Sequence, residues 1–119
     1  MGFAADSTFT MASGNWRCPD AALVRAERFP DRQVPPVPAH FPPDIAFEVF
    51  SPGETASQIQ RKRKDYQESG VIQVWINAEE RLIELIYPDR PLQYFHEEQV
   101  LVIDGLPDFS LQLKDLLSL

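Results

Sequence analysis

Residues 43–71, PDIAFEVFSPGETASQIQRKRKDYQESGV, decide the fold of this chain. Ile45 to Phe50 reads as a strand with Ile45, Phe47 and Val49 on one face and Ala46, Glu48 and Phe50 on the other. Both faces are mostly apolar, the pattern of a central strand covered on two sides. Ser51-Pro52-Gly53 ends it. Thr55 to Ser69 then reads as a helix: Thr55 can cap it, Glu54 suits the positive end of the helix dipole, and Gly70 is placed to stop it. Val71 to Ile76, with Trp75, is a second buried strand. A strand, a helix and a strand in this order predict a parallel, right-handed crossover.

Working outward, Asn77 to Glu80 is a turn and Arg81 to Tyr87 returns as an antiparallel partner. Leu92 to Phe95 and Val100 to Ile103 read as further strands, and Leu111 to Leu117 as a short closing helix. Upstream, Thr8 to Met11 and Ala21 to Val24 read as strands that pair as a hairpin about the turn Ser13-Gly14-Asn15. Six of the eleven prolines fall between Pro30 and Pro43, which marks one loop, because proline cannot donate to a ladder. The expected fold is α/β: a mixed sheet with one long helix in the crossover and a short C-terminal helix.

A chain of 119 residues fits one domain, 1–119. The composition, 44% hydrophobic and 24% charged, is that of a globular protein rather than a disordered one. Cys18 is the single cysteine, so no internal disulfide forms, which fits a reducing cytosol. No apolar run approaches the roughly 18 residues of a membrane span, and no basic start precedes an apolar stretch as in a secretory signal. These readings predict a cytoplasmic protein with no membrane partner. The net charge of −7 argues against broad nucleic-acid binding, but not against a nuclease whose acidic residues hold cations.

Glu48 is the chemical anomaly. An unpaired carboxylate among apolar neighbours is costly, so Glu48 must be ion-paired, hydrogen-bonded or metal-bound. A metal site needs a second carboxylate close by. Asp44 lies on the Glu48 face, but four extended residues separate them by about 13 Å, and metal–oxygen distances of about 2.1 Å cannot bridge that. The second ligand must come from another strand. Asp20, after Pro19 at the start of a predicted strand, is the candidate, with a plain turn residue as its alternative. On the helix, Ile59 and Tyr66 lie about 20° apart and define the buried stripe. Lys62 and Arg63 flank it on opposite sides, and periodicity does not choose between them. His40 and His96 have no ligand spacing, and Cys18, without a base partner, reads as a packing residue.

Four elements in order resemble the Uma-two family. Arg17-Cys18-Pro19-Asp20-Ala21-Ala22 resembles its R-S-P-D-V-A element, and Pro43 to Pro52 its P-D-L-V-V-E-V-x-S-P element. Lys62, Tyr66, Gly70, Val71 and Trp75 match its K-x-x-x-Y-x-x-x-G-V-x-x-x-W element, and Leu106-Pro107-Asp108-Phe109 with Leu111 is similar to its L-P-G-F-x-L. The resemblance implies the PD-(D/E)XK restriction-endonuclease fold and hydrolysis of DNA with Mg²⁺ or Mn²⁺. It implies Asp20 and Glu48 as metal ligands, the Val49 carbonyl as a third, and Lys62 as the catalytic lysine. That lysine would have moved to the helix, since its usual place, two residues after the acid, is Phe50. The resemblance thus favours Lys62 over Arg63.

Some features depart from the family. Cys18 stands for a common serine and Asn77 for a frequent aspartate. Family members begin with an extra helix and an acidic strand, so this chain reads as N-terminally shortened. A second expectation follows: a catalytically inactive remnant with an exposed apolar sheet face, stable as a homodimer or with a partner. A small β-rich binding module is the third reading.

Overall fold

The computed structural model describes residues 2–5, 8–28, 39–96, 98–104 and 110–112. The predicted crossover is its centre. Strand β5, Ile45–Val49, runs parallel to β6, Ile72–Asn77, with Glu48 beside Trp75 in the register. Helix α1, Ala56–Glu68, links them. Thr55 accepts from Gln58 N–H through Oγ1, and the Gln58 side chain accepts from Thr55 N–H at 2.9 Å, a reciprocal capping box. At the other end Val71 N–H returns to the Tyr66 carbonyl and Gly70 N–H to Gln67. Gly70 takes φ +74°, the left-handed geometry this helix stop requires.

The remaining strands extend the sheet on both sides. β7, Leu82–Ile86, is antiparallel to β6, and β8, Gln93–His96, to β7. On the other side β4, Ala21–Val24, is antiparallel to β5, and β1, Gly2–Ala5, to β4. The order is β1-β4-β5-β6-β7-β8, a mixed sheet as expected. Two short pairs complete the described structure: β2, Phe9–Thr10, with β3, Trp16–Arg17, and β9, Val100–Val102, with β10, Ser110–Gln112.

Two expectations are corrected. The 9–10 strand does pair about the predicted turn, but with Trp16–Arg17 and not with Ala21–Val24, whose two edges are taken by β1 and β5. Leu111 and Gln112 lie in strand β10 rather than in a closing helix, because Leu111 pairs opposite Leu101 of β9. The rest of that expected helix, 113–117, and most of the proline loop, 29–38, lie outside the described residues.

Each sheet face has its own core. Ile45 and Phe47 pack with Leu23, Val74, Ile76, Ile83 and Leu85 under Tyr87, Leu101 and Ile103. On the opposite face the small side chains of Ala22 and Ala46 admit Tyr66 and Val71 at the end of α1, with Phe9, Met11 and Ala39. Both faces of the central strands are therefore covered, and the described residues do not show the exposed apolar sheet face expected of a shortened chain. Their exposed large apolar side chains are Trp16, Tyr94, Val100 and Val102. No described helix is long and apolar enough to cross a membrane.

Candidate functional site

Glu48 sits on the helix-covered face of β5 and is 3% exposed. The Tyr66 hydroxyl donates to its Oε1 at 2.7 Å, and Lys62 Nζ lies 3.8 Å from its Oε2. Burial pushes the Glu48 carboxyl up to about 7, against the opposing pull of Tyr66 and Lys62, while the acidic neighbours Asp20 and Glu54 add to the rise. Near neutral pH this group is divided between its two protonation states. The Tyr66 phenol is raised well above its ordinary range by burial and by the Glu48 charge, so it stays a donor.

Lys62 has a closer partner than Glu48. Its Nζ is 2.5 Å from Glu54 Oε2, just before the helix. Burial alone would lower the lysine, but the Glu54 hydrogen bond and the Glu48 charge raise it on balance, so Lys62 is an ammonium. Sequence reasoning took Glu54 for a helix-dipole companion and missed this contact. Glu54 precedes the helix, so helical periodicity gave no signal for a pair spanning residues 54 and 62.

Asp20 arrives from β4. The pairing of β4 with β5 begins at Ala21 opposite Phe47. Just before that pairing the Asp20 carboxylate takes a strand-end donor: its Oδ2 accepts from Val49 N–H at 2.7 Å. A residue opposite in an antiparallel pair points to the same face, which sets Asp20 beside Glu48. Asp20, Glu48, Val49 and Lys62 thus meet at the C-terminal end of β5.

The other candidates go elsewhere. Asp44, at the opposite end of β5, accepts from Arg25 N–H and pairs with Arg28 at 2.9 Å. Arg63 also reaches the sheet, but on the far side of the helix stripe: it pairs with Glu84 at 2.9 Å and lies over the rings of Trp75 and Phe50. Both basic residues left open by periodicity therefore meet a carboxylate, and only Lys62 meets Glu48. His40 and His96 are exposed. Cys18 is exposed too, which corrects its reading as a packing residue.

Among the described residues no three His, Cys, Asp or Glu side chains converge closely enough to hold a metal ion on side chains alone. The expected set differs from that: two carboxylates and one backbone carbonyl. These are hard oxygen donors of the kind Mg²⁺ accepts, and Mg²⁺ completes its shell with water. Asp20 uses Oδ2 on Val49, and Glu48 Oε2 stands 3.8 Å from the lysine, so the donor chemistry fits.

Comparison with known proteins agrees with this fold. A crystal structure of a putative nuclease belonging to DUF820 from Anabaena variabilis ATCC 29413 is similar with a TM-score of 0.79 and 16% identity. The match covers 98% of this chain and 67% of that one. At that identity the likeness shows a shared fold, a mixed α/β sheet with one helix. A comparison with curated proteins returns no match. The family model Uma2, described as "Putative restriction endonuclease", matches residues 1–114, so the chain belongs to the Uma2 family.

Proposed function

We infer that the protein is a metal-dependent endonuclease that hydrolyses DNA phosphodiester bonds at the end of β5. The observation that carries this reading is the buried Glu48 carboxylate, flanked by Asp20 from the next strand and faced by the Lys62 ammonium. Asp20, Glu48 and the Val49 carbonyl would hold Mg²⁺ or Mn²⁺. Such an ion, when bound, supplies an acidified water and neutralises charge on phosphoryl oxygens. The chain's own residues do the rest. Tyr66 fixes the Glu48 carboxylate. Glu54 holds the Lys62 side chain near the carboxylates, where its ammonium stabilises negative charge developing on the phosphate.

Supercoiled plasmid with Mg²⁺ tests the reading. Lys62→Ala and Asp20→Asn should each lower the nicking rate by about 10²–10³-fold. Equal cleavage by wild type and both variants would sink it. The reading of an inactive remnant loses its structural motive, because both faces of the central strands are covered.

A further inference from the structure

Beside the carboxylates, an open cleft of about 420 Å³ is lined by Arg17, Glu54, Gln58, Arg61 and Lys62. We propose that this cleft is a phosphate subsite, which grips the DNA strand at a phosphate next to the one that is cut. The inference rests on the nuclease reading and adds to it a binding site that borders Lys62 and is otherwise built from Arg17, Gln58 and Arg61, outside the catalytic set.

Three cations face one carboxylate there, in a chain whose net charge is −7. The carboxylate, Glu54, is already engaged by Lys62 at 2.5 Å. Arg17 is held in place: its Nε and Nη2 both meet Asp65 Oδ2 at 2.7 Å. That pairing orients the guanidinium at low entropic cost and leaves Nη1 for another acceptor. Arg61 is exposed, with a long 3.5 Å contact to Ser57 Oγ as its tether. Gln58 spends its carbonyl on the helix cap, which turns its amide N–H groups outward as donors. Two guanidinium groups and an amide within reach of Lys62 suit the tetrahedral oxygens of a phosphodiester. The competing surface is a groove on the outer side of α1, lined by Ser57, Gln60, Arg61, Arg63, Lys64 and Gln67. Arg61 lines both surfaces, and each also holds ion-paired cations, Arg63 on Glu84 there and Arg17 and Lys62 here, but only the cleft adjoins the Glu48 carboxylate, through Lys62.

The test measures binding of a short DNA duplex by fluorescence anisotropy across a salt series. Ca²⁺ replaces Mg²⁺ so that binding is read without cleavage, and plasmid nicking in Mg²⁺ is assayed separately. Arg61→Gln should weaken binding about five- to tenfold near 0.1 M salt and reduce the salt slope by about 1. Lys64→Gln, on the outer groove only, should match wild type in both. Arg17→Lys keeps the charge but loses the fork, and should weaken binding with circular dichroism unchanged. Arg61→Gln indistinguishable from wild type overturns the subsite and leaves the nuclease reading standing. So does an equal loss in Lys64→Gln, which places the contact on the outer groove. A wild type that neither binds nor nicks DNA overturns both.

Discussion

At the residue scale the informative group is Glu48. Its carboxyl rises from an ordinary 4.5 to about 7 because it is buried. The folded state therefore holds a proton between these values that the unfolded chain has released. Stability conferred by this proton is present at low pH and is lost as pH rises from about 4.5 to 7, after which it is flat. The difference corresponds to about 3 kcal/mol. Urea unfolding in EDTA should show this fall in wild type between pH 5 and 8, whereas Glu48→Gln should lack it and be the more stable protein at pH 8. A metal needs the ionised form, so Mg²⁺ affinity measured by calorimetry should rise about tenfold from pH 6 to 8. Glu48 was legible in the sequence as a charge in an apolar strand. Its partners were only partly so. Tyr66 falls on the buried helical stripe and looks like packing alone, since periodicity places a ring but says nothing of its hydroxyl.

At the element scale, the β2–β3 hairpin is fastened to α1 mainly by one side chain. Asp65, 6% exposed, accepts from Ser13 Oγ, Asn15 Nδ2 and Arg17 Nε. Ser69 Oγ accepts from Ala12 N–H one turn further on. Burial would raise the Asp65 carboxyl, but the hydrogen bonds from Asn15, Arg17 and Ser13 lower it below 3.8. Its contribution is present above that value and is lost as pH falls through the lower folded-state pKa. Asp65→Ala should cost about 3 kcal/mol at neutral pH, since it leaves Arg17 facing an emptied partially buried site. The gap from wild type in denaturant midpoint should hold from pH 7 to about 4 and close below. In the sequence Asp65 was one more charge beside Arg61-Lys62-Arg63-Lys64. The hairpin itself was half legible. The turn Ser13-Gly14-Asn15 was clear, but two apolar stretches follow it, and local chemistry does not say which one folds back. Gly2-Phe3-Ala4-Ala5 gave no strand signal because alternation needs contrast, and these residues are nearly all small or apolar.

At the scale of the whole molecule, the crossover was the most legible feature, because each of its parts carries its own start and stop. It brings the C-terminal end of β5 under Lys62 and Tyr66 of α1, and β4 brings Asp20 to the same place. A divalent ion held there would join two strands whose site residues are 28 positions apart. Bound at a hundredfold over its dissociation constant, it should stabilise the fold by about 2.7 kcal/mol. For a chain of this size that is a rise in melting temperature of about 10 °C. Thermal melts with Mg²⁺ and with EDTA should show this rise in wild type and not in Glu48→Gln. A rise of equal size in the variant would remove Glu48 from the ligand set.

Asp20 accepts the Val49 N–H at the end of the β4–β5 ladder. The same carboxylate thus caps a strand-end donor as well as being a proposed ligand, so its loss would be felt by the sheet and by the site. A relative without the proposed activity would still use an acceptor at position 20 to close its sheet, whereas a cation at position 62 answers only to the side chains of Glu48 and Glu54. If the proposed function holds, the lysine is the better marker of activity among relatives, because the aspartate also serves the fold.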